Sequence, residues 1–237
     1  MTGAPWNLSG RGVVAVYGGP EAGALMLVRY AQSGVGPYDE LLWVSLSGAP
    51  QVTRIVVSTQ DSVEWGRRNW AIPKSRADFA WEGVPGRDSG FQFHRRANLT
   101  PFNSTSNRWC CQVLTPLGSV VLSKTLDTTE LCCEQVRVTQ DGRLLAHLSV
   151  RSWGPSLPVT TAVVPAAWRT LVQPPLPEAG ERAALLTTVS ASGRVRPARL
   201  SVIGGNFHPA LLERRPLLTV AVPDFRMVFP VPRVWPA

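Results

Sequence analysis

Between Val136 and Arg151 the chain reads VRVTQDGRLLAHLSVR, two runs of alternating residues on either side of Asp141-Gly142. Successive side chains of a strand point to opposite faces, so this period of two buries one face of a strand and solvates the other. Leu144, Ala146, Leu148 and Val150 form the expected buried face, against Leu145, His147, Ser149 and Arg151. Asp-Gly supplies the left-handed backbone that a tight hairpin needs. Similar apolar segments precede it: VVAVY (13–17), ALMLVRY (24–30), ELLWVSL (40–46) and VTRIVVST (52–59). A second turn is expected at Thr115-Pro116-Leu117-Gly118, with Pro116 presetting φ at position i+1, so residues 108–151 predict a meander of about four antiparallel strands. Many strands without long intervening helices indicate a predominantly antiparallel barrel or sandwich.

Helical signals are few. One helix is predicted to begin at Pro73, whose missing N–H is tolerated in a first turn, and to run through KSRADFAW. Another starts at Pro209 and ends near Arg215, because Pro216 cannot continue it. Residues Val172 to Gly180, VQPPLPEAG, read as a surface loop. At 237 residues one domain over 1–237 is the expected organisation.

Composition narrows the function. A formal charge of +8 raises nucleic acid as a partner, but the arginines are scattered singly or in pairs without a recognition motif, so none is expected. No apolar run is long enough to cross a membrane and the first residues lack a signal-peptide pattern, which points to the cytoplasm. The vicinal pairs Cys110-Cys111 and Cys132-Cys133 lack zinc-ligand spacing and read as buried thiols or a cross-strand contact. His94, His147 and His208 are widely separated, and no GxSxG elbow or GxxxxGK loop occurs. No metal and no cofactor is expected.

Of 24 basic residues only Lys74 and Lys124 are lysine. A neutral lysine amine can add to a carbonyl and form an iminium ion, whose nitrogen then draws electrons from a breaking bond; a guanidinium cannot. Lysine is protonated at neutral pH unless its pKa is lowered. Three local features would lower it: burial beside Trp70, Ile72, Phe79 and Trp81, the start of the helix predicted at Pro73, and the neighbouring Arg67, Arg68 and Arg76. The bland alternative is a solvated charge at a helix end.

The segment Gly66-Arg67-Arg68-Asn69-Trp70-Ala71-Ile72-Pro73-Lys74 resembles the Gly-Arg-x-x-x-x-x-Pro-Lys motif of the acetoacetate decarboxylase-like superfamily. SGVGPYDELLWVSL (33–46) is similar to a second motif of that superfamily, with Glu40 in the place of its acidic residue. The resemblance implies an α+β, predominantly antiparallel fold, a large curved β barrel or sheet with a central cavity and few short helices. It implies Lys74 as Schiff-base nucleophile, Glu40 as the group that positions or protonates the intermediate, and Arg67, Arg68, Trp70 and Arg11 as substrate-binding residues. Ser75 stands where the decarboxylase has a second lysine, and the superfamily's N-terminal arginine corresponds to Gly10 or Arg11. The expected function is a Schiff-base decarboxylase or lyase acting on a small keto acid. The alternatives are a non-catalytic barrel that binds an apolar or carbonyl ligand and a basic interaction protein. The superfamily also implies a homo-oligomer.

Overall fold

The computed structural model describes residues 2–82, 132–179 and 183–236. Within these, the expected strands are present: β1 (Trp6–Tyr17), β2 (Gly23–Gln32), β3 (Tyr38–Ser45) and β4 (Gln51–Val57) form an antiparallel meander. Helix α1 (Gln60–Trp70) follows, and the chain returns as β5 (Lys74–Arg76), parallel to β4. A parallel pair needs a crossover, and α1 is that crossover. The sheet continues with β6 (Asp78–Glu82), β7 (Cys132–Gln140), β8 (Arg143–Ser152), β9 (Leu157–Thr160), β12 (Ser190–Gly204) and β13 (Leu218–Phe229). Strands β10 (Thr170–Gln173), β11 (Ala183–Thr188) and β14 (Arg233–Pro236) make a separate three-stranded sheet.

The helix expected from Pro73 is absent; residues 74–82 are strands β5 and β6. The helix lies one segment earlier, with Asp61 in its first turn and Arg67 and Arg68 in its last, charges that complement the helix dipole. Ala71 caps it at φ 53°, its N–H bonded to the Arg67 carbonyl. Proline commonly follows such a cap because it cannot prolong the helix, so Pro73 marks a stop rather than a start. Helix α2 (Pro209–Glu213) begins where expected and ends two residues early. Val172 and Gln173, expected in a loop, belong to β10.

The hairpin at Asp141-Gly142 forms, with both residues at positive φ. Its burial pattern carries one correction. Ala146, Leu148 and Val150 are buried, but Leu144 is exposed and Leu145 buried in its place. The ladder shifts between Val138 and Thr139, which leaves Leu145 as an extra residue, and such a bulge reverses the alternation beyond it. Residues 108–131 of the expected meander, including the Thr115–Gly118 turn and Cys110-Cys111, lie outside the described residues, as does His94.

In the eleven-stranded sheet the order is β5-β4-β3-β2-β1-β13-β12-β8-β7-β6, with β9 on β12. Strands far apart in this order nevertheless touch. Trp81 on β6 donates to Asp39 on β3 at 3.0 Å, and Arg11 on β1 meets Glu134 on β7 at 2.8 Å. The face bearing these residues is therefore concave. Ala15, Tyr17, Leu25, Leu41, Trp43, Val138 and Leu148 fill it with an apolar core. The two edge strands, β5 and β6, are consecutive in the chain and joined through Ala77 alone, but they do not pair. Gln140 Nε2 of β7 instead reaches β5, donating to the Ser75 hydroxyl and the Arg76 carbonyl. Among the described residues the expected barrel is thus a large curved sheet without hydrogen-bonded closure.

On the convex face a second core holds Trp6, Leu8, Val28, Leu42, Val52, Ile55 and Val57 against Val63 and Trp70 of α1, with Leu171 of β10 packed beside them. Strand β3 serves both cores. Asp39, Leu41 and Trp43 face inward, while Tyr38, Glu40, Leu42 and Val44 face the helix side.

Candidate functional site

Lys74, first residue of β5, lies beside Ile55 of β4, and its side chain runs beneath α1 into the convex core, where only 5% of it is exposed. The ammonium Nζ donates to Glu40 Oε2 at 2.8 Å, Ser62 Oγ at 3.1 Å and Tyr38 OH at 3.4 Å. Tyr30 OH donates to the other Glu40 oxygen at 3.0 Å. Tyr30 and Tyr38 are cross-strand partners with ring centroids 4.6 Å apart. The result is a closed polar island in an apolar layer: one cation, one anion and three hydroxyls, each ion satisfied by hydrogen bonds, as burial demands.

Gly66 makes room for the lysine. A Cβ at that position would stand 2.6 Å from Lys74 Cδ and 2.7 Å from Cε, inside contact distance. Ser62 and Gly66 are one helical turn apart, so the same face of α1 supplies a hydroxyl for Nζ and a gap for the methylene stem.

The electrostatics oppose the expected lowering of the lysine pKa. Burial pushes it down, but the Glu40 carboxylate and the Tyr38 oxygen outweigh burial and hold it above the ordinary lysine value. Of the three features expected to lower it, burial acts as expected, but no helix starts at Pro73, Arg76 pairs with Asp78, and Arg67 pairs with Glu178. Burial raises both phenols, with Glu40 adding to the effect: Tyr38 to about 12, and Tyr30 well above its usual value. In the resting site Lys74 is an ammonium and both tyrosines are neutral.

Of the six residues singled out from sequence, Lys74 and Glu40 meet directly. Arg67 approaches through the backbone, donating to the Lys74 carbonyl at 3.3 Å. Trp70 packs edge-on against Trp6 and Phe229 in the same core, its indole N–H bonded to the Pro230 carbonyl. Arg68 lies over the Trp65 ring on the exposed side of α1, and Arg11 is on the concave face, so neither joins the cluster. Tyr30, Tyr38 and Ser62 were not anticipated. Tyr38 could have been, because a residue two before Glu40 in a strand shares its face. Among the described residues no helix is long and apolar enough to cross a membrane, and no group of three or more His, Cys, Asp or Glu side chains is placed to hold a metal.

No protein-family model matches the sequence, and no curated protein does either. Solved structures do. The enduracididine biosynthesis enzyme MppR with HEPES buffer bound superposes with a TM-score of 0.59 at 15% identity, covering 100% of this chain and 89% of that one. An acetoacetate decarboxylase-like enzyme from Sphingomonas wittichii RW1 gives 0.58 at 9% identity, covering 99% and 94%. Acetoacetate decarboxylase from Legionella pneumophila subsp. pneumophila str. Philadelphia 1 gives 0.56 at 11% identity, covering 98% and 87%. A curved antiparallel sheet crossed by few helices and shared over nearly the whole chain defines the class. This protein has the acetoacetate decarboxylase-like fold.

Proposed function

We propose that the chain is a Schiff-base-forming decarboxylase or lyase of small keto acids, with Lys74 as nucleophile and Glu40 as its proton partner. The observation that carries this reading is the 2.8 Å contact between Lys74 Nζ and Glu40 in a site excluded from water. An ammonium is not a nucleophile, but along this hydrogen bond its proton can pass to the carboxylate, leaving a neutral amine beside a neutral acid. The amine adds to the substrate carbonyl carbon, the carbonyl oxygen takes the proton, and loss of water leaves an iminium. In a β-keto acid the bond to the carboxylate then breaks, carbon dioxide departs, and the electron pair moves toward the iminium nitrogen as an enamine. Protonation at carbon and hydrolysis return the ketone and the free lysine. The keto-acid class draws support from the fold relatives: MppR has been solved with pyruvate and with the condensation product of pyruvate and imidazole 4-carboxaldehyde.

Borohydride reduction in the presence of pyruvate, acetoacetate and related keto acids, followed by peptide mass spectrometry, is expected to place a stable adduct on Lys74. If no keto acid in the panel labels Lys74, the reading fails. A second reading is a barrel-like scaffold that binds an apolar or carbonyl ligand without turnover. The saturated hydrogen bonding and raised pKa of Lys74 favour it, because both hold the amine in its unreactive form. It predicts no adduct and binding that survives Lys74→Ala.

A further inference from the structure

The concave face carries a second polar cluster, separated from Lys74 by the thickness of the sheet. A cavity of about 100 Å³ is lined there by Arg11 of β1, Arg29 of β2, Trp81 of β6, Glu134 of β7, Ser152 of β8 and Arg196 of β12, among apolar neighbours. Two of the three arginines are matched by carboxylates. Arg11 meets Glu134 at 2.8 Å, and Arg29 meets Asp39 at 3.4 Å while lying over the Trp81 ring. Among the described residues Arg196 has no such partner. Its Nε–H is buried without an acceptor.

A buried Nε–H without an acceptor matters here because arginine stays protonated in proteins and cannot shed its charge as a buried histidine or lysine can. A buried donor without an acceptor costs free energy, more so when it is charged. Among the described residues, Arg11 and Arg29 each have a carboxylate beside them, and Arg196 has none. Ser152, itself buried at 3% exposure, lines the same space and carries a hydroxyl that can act as a further donor. Arg11 and Arg29 are 36% and 42% exposed along their side chains, so the cavity opens to solvent between them. The volume accommodates about three water-sized groups, the size of one carboxylate or phosphate group rather than of a whole metabolite.

We infer that this cavity is a binding site for a small oxyanion, a free one or the terminal carboxylate or phosphate of a larger ligand, held by Arg196 with Ser152 and admitted between Arg11 and Arg29. It is separate from the lysine site and does not depend on the Schiff-base reading.

Isothermal titration calorimetry of the full chain with sodium phosphate and with sodium acetate, at constant ionic strength, tests it. Saturable binding of at least one anion is expected for the wild type and for Arg143→Met, which removes the same charge from the exposed hairpin turn. Arg196→Met is expected to weaken binding about tenfold or more, through loss of a charge-assisted hydrogen bond. Phosphate binding alone identifies a tetrahedral dianion, and acetate binding alone identifies a carboxylate. On the wild type, the Arg196 Nε–H resonance in a ¹⁵N correlation spectrum should shift as the site fills, a readout that does not require any variant to fold. Absence of saturable binding by both anions, or unchanged binding by folded Arg196→Met, or an Arg196 resonance that stays still during binding, overturns the proposal.

Discussion

The two faces of one sheet handle charge in opposite ways. On the convex face a single ion pair is sealed under α1 with every lysine proton accepted. On the concave face several charges share an opening to solvent, and one guanidinium donor is left over. Strand β3 holds both arrangements in adjacent residues: Asp39 turns toward the arginines and Glu40 toward the lysine. One residue of register therefore separates a closed site from an open one, and the consequences of substitution should differ accordingly.

The largest effect is expected at Glu40. Glu40→Gln strands a buried ammonium and should destabilise the fold by about 3–5 kcal/mol, whereas replacing both partners, Lys74→Met with Glu40→Leu, should cost much less. Urea denaturation of the wild type and the two variants checks this; equal losses in single and double variants would contradict a coupled pair. The raised pKa values of Lys74, Tyr30 and Tyr38 give the matching pH dependence. In each case the folded state holds its proton more tightly than the unfolded chain, so stability is fully present below the unfolded pKa values of about 10 and falls as pH rises through the folded ones. Alkaline melting curves of wild type and the double variant should diverge above about pH 10, with the wild type losing more.

Gly66→Ala comes next. Ala favours helix by about 1 kcal/mol over Gly, but its methyl collides with the lysine stem and overpacking typically costs about 1–3 kcal/mol. A small net loss of stability is expected, together with a marked drop in borohydride trapping of Lys74. Full trapping with unchanged stability would show that the stem can move aside.

On the concave face the effects shrink. Arg11→Met breaks a partly exposed pair and should cost no more than about 1 kcal/mol, less at high salt. Arg196→Met should leave stability within about 0.5 kcal/mol or raise it slightly, since it removes a donor with no partner. Thermal melts in low-anion buffer measure both, and a loss of several kcal/mol at Arg196 would mean that it holds the sheet together.

The strands and the lysine-glutamate pair were legible in the sequence for different reasons. Alternation marked the hairpin, because a half-buried strand writes its period into the chain, and short apolar runs between turn signals marked β1 to β4, of which β3 is buried on both faces. Lys74 and Glu40 were legible only through a motif, since they lie 34 positions apart and their strands are separated by β4. The helix was placed one segment late. Phe79 and Trp81 alternate as strand residues do, and Val63, Gly66 and Trp70 recur at helical spacing, but Pro73 drew attention as a start signal. The helix ends before Pro73 rather than starting there, and Glu40 holds the pKa of Lys74 up. Arg196 could not have been singled out. Its significance depends on which strands face one another across the curve, and nothing local to Arg194-Val195-Arg196 encodes that.

Pairing of β1 with β13 joins Trp6 to Phe229, near the two ends of the described chain. During synthesis, strands β1 to β4 emerge early and can pair among themselves, but the other edge of β1 has no partner until residues 218–229 leave the ribosome. Such distant pairings make folding slow, and an exposed strand edge invites pairing with other chains. The nascent protein should therefore be most vulnerable to aggregation in the interval before β13 appears, and truncations ending ahead of Leu218 should depend on chaperones or go insoluble.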